Sequence, residues 1–185
     1  MILKVYIDNN VWDFLFERNI DLSEALPSNE FLLIITREAE FEIPPMPTEK
    51  HEYVERMMVM ANVTTDSYFG FYDERYSVNE QRSGGFGDKF DTTVKGGRFI
   101  SRDESVAIKS EGPLLGKVNK KTHLLNNEAD ISLAARARVI HSIILTLDNK
   151  KALKRARENT GRVIDIKKWD SETSLSEFIK SELKC

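Results

Sequence analysis

A chain of 185 residues can bury one sizeable core and needs no second one. Its 41% hydrophobic and 31% charged residues argue against global disorder, and a net charge of −3 exerts no bulk pull on nucleic acid, so any such partner must be argued from local charge and site chemistry. A single cysteine, Cys185, excludes an intrachain disulfide framework and a cysteine-based metal site. The N-terminal run lacks a signal-peptide pattern and no segment reaches roughly eighteen consecutive apolar residues, so the expected setting is the cytoplasm, with no membrane partner.

Residues 2 to 7 (ILKVYI) are β-branched and aromatic-rich and stop at Asp8, as a strand does. Val11, Trp12, Leu15 and Phe16 then recur at helical spacing, predicting an amphipathic helix that ends near Asn19. FLLII at 31 to 35 reads as a strand covered on both faces. Thr36 is placed to cap a helix over REAEFEI, which Pro44 and Pro45 end. Residues 49 to 62 predict a further helix carrying Met57, Met58 and Met60, methionines expected in the core or at an interface.

The stretch from 68 to 122 breaks the alternation. It holds eight of the nine glycines and has no clean helical period, so it predicts an inserted Gly-rich hairpin or loop region. The whole insertion spans about 46 to 121 within a single domain over 1 to 185. Between Arg82 and Lys121 nine Lys or Arg face five Asp or Glu, a local excess of four positive charges. Beyond it, Asn127 is expected to cap a helix from Glu128 to about His141, and IILTL (143 to 147) reads as a strand ending at Asp148. A charged helix over 150 to 159 closes at Gly161. RVIDI and a helix from Ser174 to Leu183 complete an α/β pattern: a three-layer α/β/α fold around a mostly parallel sheet.

Four acids occupy matching places in this topology. Asp8 and Asp148 end strands, Glu42 lies on the helix after the second strand, and Asp130 sits in the first turn of its helix. All these places open on the carboxyl edge of a parallel sheet, where ligands bind. Taken singly, each acid is an ordinary turn or cap residue. Together they would repel one another unless a cation neutralised them, and an all-oxygen set suits Mg²⁺ or Mn²⁺.

The motifs YIDNNV, ITREAEFEI, EADISLAARA and ILTLDNKKAL, in that order, make the chain resemble the PIN-domain nucleases, which include the toxins of many toxin-antitoxin pairs. The likeness covers about 1 to 45 and 122 to 167. It implies a PIN-like domain and a metal-dependent endoribonuclease in which Asp8, Glu42, Asp130 and Asp148 hold the ion and are the catalytic residues. Glu128 is a further candidate ligand. A homodimer and a cognate antitoxin protein are implied as partners beside RNA. Asn9 departs from the family, which often has Thr or Ser there; Asn9 and Thr146 are expected to orient ligands. Glu38 and Glu42 lie four apart on one helical face, so both are in register for the second acid, with Glu42 preferred.

RNA contacts are expected from Arg82, Lys89, Lys95, Arg98 and Arg102 in the insertion and from Lys150 and Lys151. His51, His123 and His141 pair with no nucleophile and are read as structural. Two alternatives stay open. One is a phosphatase of the haloacid-dehalogenase type, which wants an acid where this chain has Asn10. The other is a non-catalytic binding module on the same fold.

Overall fold

The structure, a computed structural model, describes residues 2–70, 81–84 and 97–183. Lys89, Lys95 and Cys185 lie outside the described residues. The element order is β1 (Leu3–Ile7), α1 (Asn9–Glu17), α2 (Leu22–Ala25), β2 (Phe31–Thr36), α3 (Arg37–Glu40), α4 (Thr48–Met60), β3 (Thr64–Asp66), α5 (Arg102–Ser110), α6 (Glu128–Val139), β4 (Ile143–Thr146), α7 (Lys151–Thr160), β5 (Val163–Asp165) and α8 (Leu175–Glu182). The five strands are all parallel, in the order β3-β2-β1-β4-β5. The direction of winding therefore reverses between β1 and β4.

Side chains alternate across each strand, and the apolar ones feed two cores. Val5, Ile7, Leu33, Ile35, Ile143 and Leu145 pack with Trp12, Leu15, Val54 and Ile179 of α1, α4 and α8. Tyr6, Ile34, Ile144 and Val163 face the other way, onto Leu133, Ala134 and Ala137 of α6 and Leu153 and Ala156 of α7. Burial on both faces is why β2 and β4, and β1 from Val5 onward, read as apolar runs; Lys4 near the start of β1 is exposed. The arrangement is three-layer α/β/α. Met57 belongs to the first core, as expected, whereas Met60 is exposed.

Three local expectations are corrected. The helix over REAEFEI stops at Glu40, and Glu42 lies beyond it in tight turns in which Glu42 N donates to Ala39 O and Ile43 N to Glu40 O. Pro44 disfavours helical backbone at the residue before it, which ends the helix early. Asn127 precedes α6 but does not cap it through its side chain. Its backbone is left-handed (φ 68°) and its amide donates instead to Leu114 O. Finally, the stretch from 68 to 122, read as a Gly-rich hairpin or loop region, contributes a helix, α5, whose Ser101 and Glu104 form a reciprocal capping box, and the residues just before that stretch add an edge strand, β3.

A buried ion network fastens β3 and α5 to the rest. Arg136 on α6, fully buried, donates to Asp66 Oδ2 at 2.7 Å, and Tyr6 donates to the same oxygen at 2.8 Å. Arg98 donates to Asp66 Oδ1 at 2.9 Å and, in a two-pronged contact at 2.7 Å on each oxygen, to Glu104. Burial works to raise the Asp66 carboxyl, but the two guanidinium groups outweigh it and hold it below the usual carboxylate range. Removing one partner of such a pair leaves a desolvated charge and typically costs about 3–5 kcal/mol. Arg136→Met should therefore lower the unfolding free energy by about 3 kcal/mol or more in urea titrations; a loss within about 1 kcal/mol would mean that Asp66 does not depend on Arg136.

Candidate metal centre

Asp8 follows β1 directly, held to the neighbouring strand because its backbone N–H donates to Leu145 O at 3.0 Å. Asp148 follows β4, the other strand at the reversal, and Asp130 is the third residue of α6. These three carboxylates each offer an oxygen, and those oxygens all lie within 4.8 Å of one another. The meeting place is the crevice outside the carboxyl ends of two strands at a topological switch point, where open α/β sheets bind ligands. Asp8 and Asp130 are only 6% and 4% exposed.

The cavity above them has a volume of about 520 Å³ and is lined also by Asn9, Asn10, Glu42, Glu128 and Lys150. Thr146 Oγ1 donates to Asp8 Oδ2 at 2.6 Å and accepts from Asp148 N at 2.9 Å, so one buried hydroxyl ties together the two acids that end the strands. Asn10, noted in the sequence only as the residue that stands where a phosphatase wants an acid, also holds Asp8. Its amide donates to Asp8 Oδ2 at 2.7 Å while its oxygen accepts from Leu147 N at 2.8 Å. The signal for it lay in its position, two residues past the acid on the opening turn of α1.

Asn9 serves the second acid rather than the first. Its amide donates to Glu42 Oε2 at 2.8 Å and to Ala39 O at 2.7 Å. Glu42 thus borders the cavity, though it is not one of the three acids whose oxygens converge. Glu38 is turned elsewhere, its Oε1 accepting from Ser132 on α6. Of the two registers, the structure brings Glu42 to the cavity. Glu128 also lines it, but its carboxylate accepts from Arg82 and from Leu125 N, so both oxygens are engaged.

The cations expected on RNA are placed unevenly. Arg98 is committed to Asp66 and Glu104 and Arg82 to Glu128. Lys150 points inward, its ammonium 2.9 Å from Asp130 Oδ2 and 3.2 Å from Asp148 Oδ2. Arg102 and Lys151 are exposed.

Burial pushes the Asp8 carboxyl up to about 6, against the Thr146 hydrogen bond and with help from the charges of Asp130 and Asp148. Burial raises Asp130 as well, more than Lys150 lowers it. For Lys150 itself burial opposes the ammonium, but the hydrogen bond and charge of Asp130 and the charge of Asp148 prevail and keep it protonated. Five acids therefore line a cavity into which one lysine projects. The donor set fits a hard divalent cation: the oxygens of an octahedral Mg²⁺ site, about 2.1 Å from the ion, stand roughly 3 to 4 Å from one another, close to the spacing of these three acids.

A carboxyl whose folded-state pKa exceeds its ordinary value binds its proton more tightly in the folded chain. Its stabilisation is complete below about pH 4, is lost as pH rises through about 6, and is constant above that. A rise from 3.8 to about 6 corresponds to about 3 kcal/mol. In chelator, the unfolding free energy of Asp8→Asn relative to wild type should improve by about that amount between pH 4 and pH 8, measured by urea titration. A difference that stays flat with pH would contradict an ionised, desolvated Asp8.

Comparison of the chain with protein-family models, with curated proteins and with solved structures finds no match in any of the three, so this site is read from its own chemistry.

Proposed function

We propose that this chain is a metal-dependent endoribonuclease that hydrolyses RNA phosphodiester bonds with Mg²⁺ or Mn²⁺ at Asp8, Asp130 and Asp148. The observation that carries the reading is the convergence of those three carboxylates within 4.8 Å at the switch point of a parallel sheet. The resemblance to PIN-domain nucleases supports it, because the same acids were named from the motifs. Support also comes from the polar groups behind them, which aim the carboxylates rather than neutralise them.

Asp8, Asp130 and Asp148 would hold the divalent ion, which would supply a lowered water pKa and positive charge opposite the phosphate oxygens. The chain's own residues have separate tasks. Thr146 and Asn10 both address Oδ2 of Asp8 and fix the plane of its carboxylate. Asn9 holds Glu42 at the rim of the cavity. Lys150 supplies a positive charge between Asp130 and Asp148, within reach of a phosphate that enters the cavity. Asn10 is an amide with both ends engaged and offers no acidic proton to a leaving group, so the phosphatase chemistry lacks its second acid.

The test is cleavage of a mixed RNA panel with Mn²⁺, Mg²⁺ or chelator. Internal cuts bearing 5′-phosphate and 3′-hydroxyl ends are expected with either ion and none in chelator. Asp8→Asn and Asp148→Asn should reduce cleavage to background. Thr146→Val and Asn10→Ala, which disturb orientation alone, should lose about 10- to 100-fold. Cutting that persists in chelator, or phosphate release from small monoesters with RNA left intact, would overturn the proposal.

A further inference from the structure

The acidic cavity raises an electrostatic difficulty for any polyanionic substrate. Five carboxylates line it with one lysine; of the described cations expected to draw a strand in, Arg82 and Arg98 are held in internal pairs and Lys150 faces the acids, which leaves Arg102 and Lys151 exposed. Attraction must come from the rim. One wall of the cavity is built by Gly116, Leu125, Asn126 and Asn127, and the sequence from 112 to 127 (GPLLGKVNKKTHLLNN) contains three lysines and no acid. It is the reverse of the cavity floor.

This wall is a closed hairpin. Gly116 N donates to Asn126 O, Asn126 N to Lys117 O, and Asn119 N to Leu124 O; Val118 and Leu125 pair antiparallel, and buried Leu124 anchors the turn. Gly116 is required by the close approach, since a Cβ there would meet Asn126 Cβ at 2.8 Å. Lys117, Lys120 and Lys121 are exposed on it and make no ion pair among the described residues. A narrower recess of about 140 Å³ shares Asn127, Asp130 and Lys150 with the main cavity and reaches Lys151. Positive charge thus lies on both sides of the acids.

We infer that the hairpin of residues 116–126 is the strand-binding surface of this protein, with Lys117, Lys120 and Lys121 gripping the phosphate backbone of single-stranded RNA as one phosphodiester enters the acidic cavity. The choice of RNA rests on the function proposed above. The choice of a single strand rests on burial: Asp8 and Asp130 are so enclosed that only a flexible backbone can bring a phosphate to them. Each phosphate contact on a single strand contributes about 0.7 to the slope of log affinity against log salt.

The experiment measures binding of a fluorescein-labelled oligouridylate by anisotropy over a salt series with Mg²⁺ present. The full chain carries Asp8→Asn to prevent cleavage. Adding Lys117→Gln, Lys120→Gln and Lys121→Gln together should weaken binding about tenfold or more and lower the slope by about 2. Lys4→Gln, exposed on β1 near its start and away from the carboxyl edge, should change neither quantity. Unchanged affinity and slope in the triple variant, or an equal fall with Lys4→Gln, overturns the inference. So does a duplex of the same length that binds as tightly. These readouts do not depend on cleavage. Binding through the hairpin by a wild type that leaves RNA intact with Mn²⁺ would refute the nuclease and uphold the hairpin. Full affinity in the triple variant beside a wild type that cuts would do the reverse.

Discussion

Negative charge concentrated where two parallel strands part company is the constraint that organises this molecule. Strand β1 delivers Asp8 and strand β4 delivers Asp148 to adjacent points, and the first turn of α6 brings Asp130 over them. Burial and mutual repulsion both work against ionisation there, and the rise of the Asp8 carboxyl to about 6 measures that opposition. A fold that only needed a turn after β1 could place a neutral residue at position 8 at lower cost. The expense makes sense when a cation is to be bound: the closer the acids, the more an ion gains by coordinating all of them at once.

A second concentration of charge lies close by and is settled differently. Asp66 and Glu104 meet Arg98 and Arg136, partners from β3, α5, the stretch before α5 and α6, with two-pronged hydrogen bonding and a tyrosine hydroxyl completing the set. Such a network adds little net stability over an apolar replacement, but it is intolerant of a missing member. Ser132 extends this network to α3, since its hydroxyl donates to Glu38 and also accepts from Arg136. Helix α6 therefore carries Asp130 of the open acidic cluster on its first turn and Arg136 of the closed network two turns on. Its rigidity serves both.

How much of this was legible depended on whether the signal was local. Strands β2 and β4, and β1 from Val5 onward, announce themselves as apolar runs because both of their faces are covered, and Gly161 announces the end of α7 because its backbone is left-handed (φ 63°). The acids at 8, 130 and 148 were legible because topology alone sends strand ends to one edge. Strand β3 was not: TTD is three polar residues on an edge, with no alternation to detect. Helix α5 was masked by charge, although Ser101 and Glu104 stand at capping-box spacing. Arg82 and Arg98 looked like cations open to solvent because their partners Glu128 and Asp66 are 46 and 32 residues away. Glu128 lies outside the insertion, so no pattern confined to it could reveal the Arg82 pair, whereas Asp66 and Glu104 both lie inside it and only the fold shows that Arg98 turns to them.

Why the chain follows its first acid with two amides has an answer in the sheet order. Strand β1 lies between β2 and β4, and the two asparagines divide these neighbours between them. Asn9 turns toward the β2 side, gripping Ala39 O and the carboxylate of Glu42. Asn10 turns toward the β4 side, bonding Asp8, Leu147 N and, more loosely, Thr146. An amide carries two N–H donors and an acceptor without adding charge: Asn9 uses its two donors, while Asn10 donates to the acid and accepts from backbone. A hydroxyl at position 9 would be shorter and could not reach both Ala39 O and Glu42 in the same way, and an acid at position 10 would add repulsion where three carboxylates already converge. The consecutive amides turn the end of one strand into a brace across the switch point, and that brace keeps the acidic edge in register with the strands on both sides.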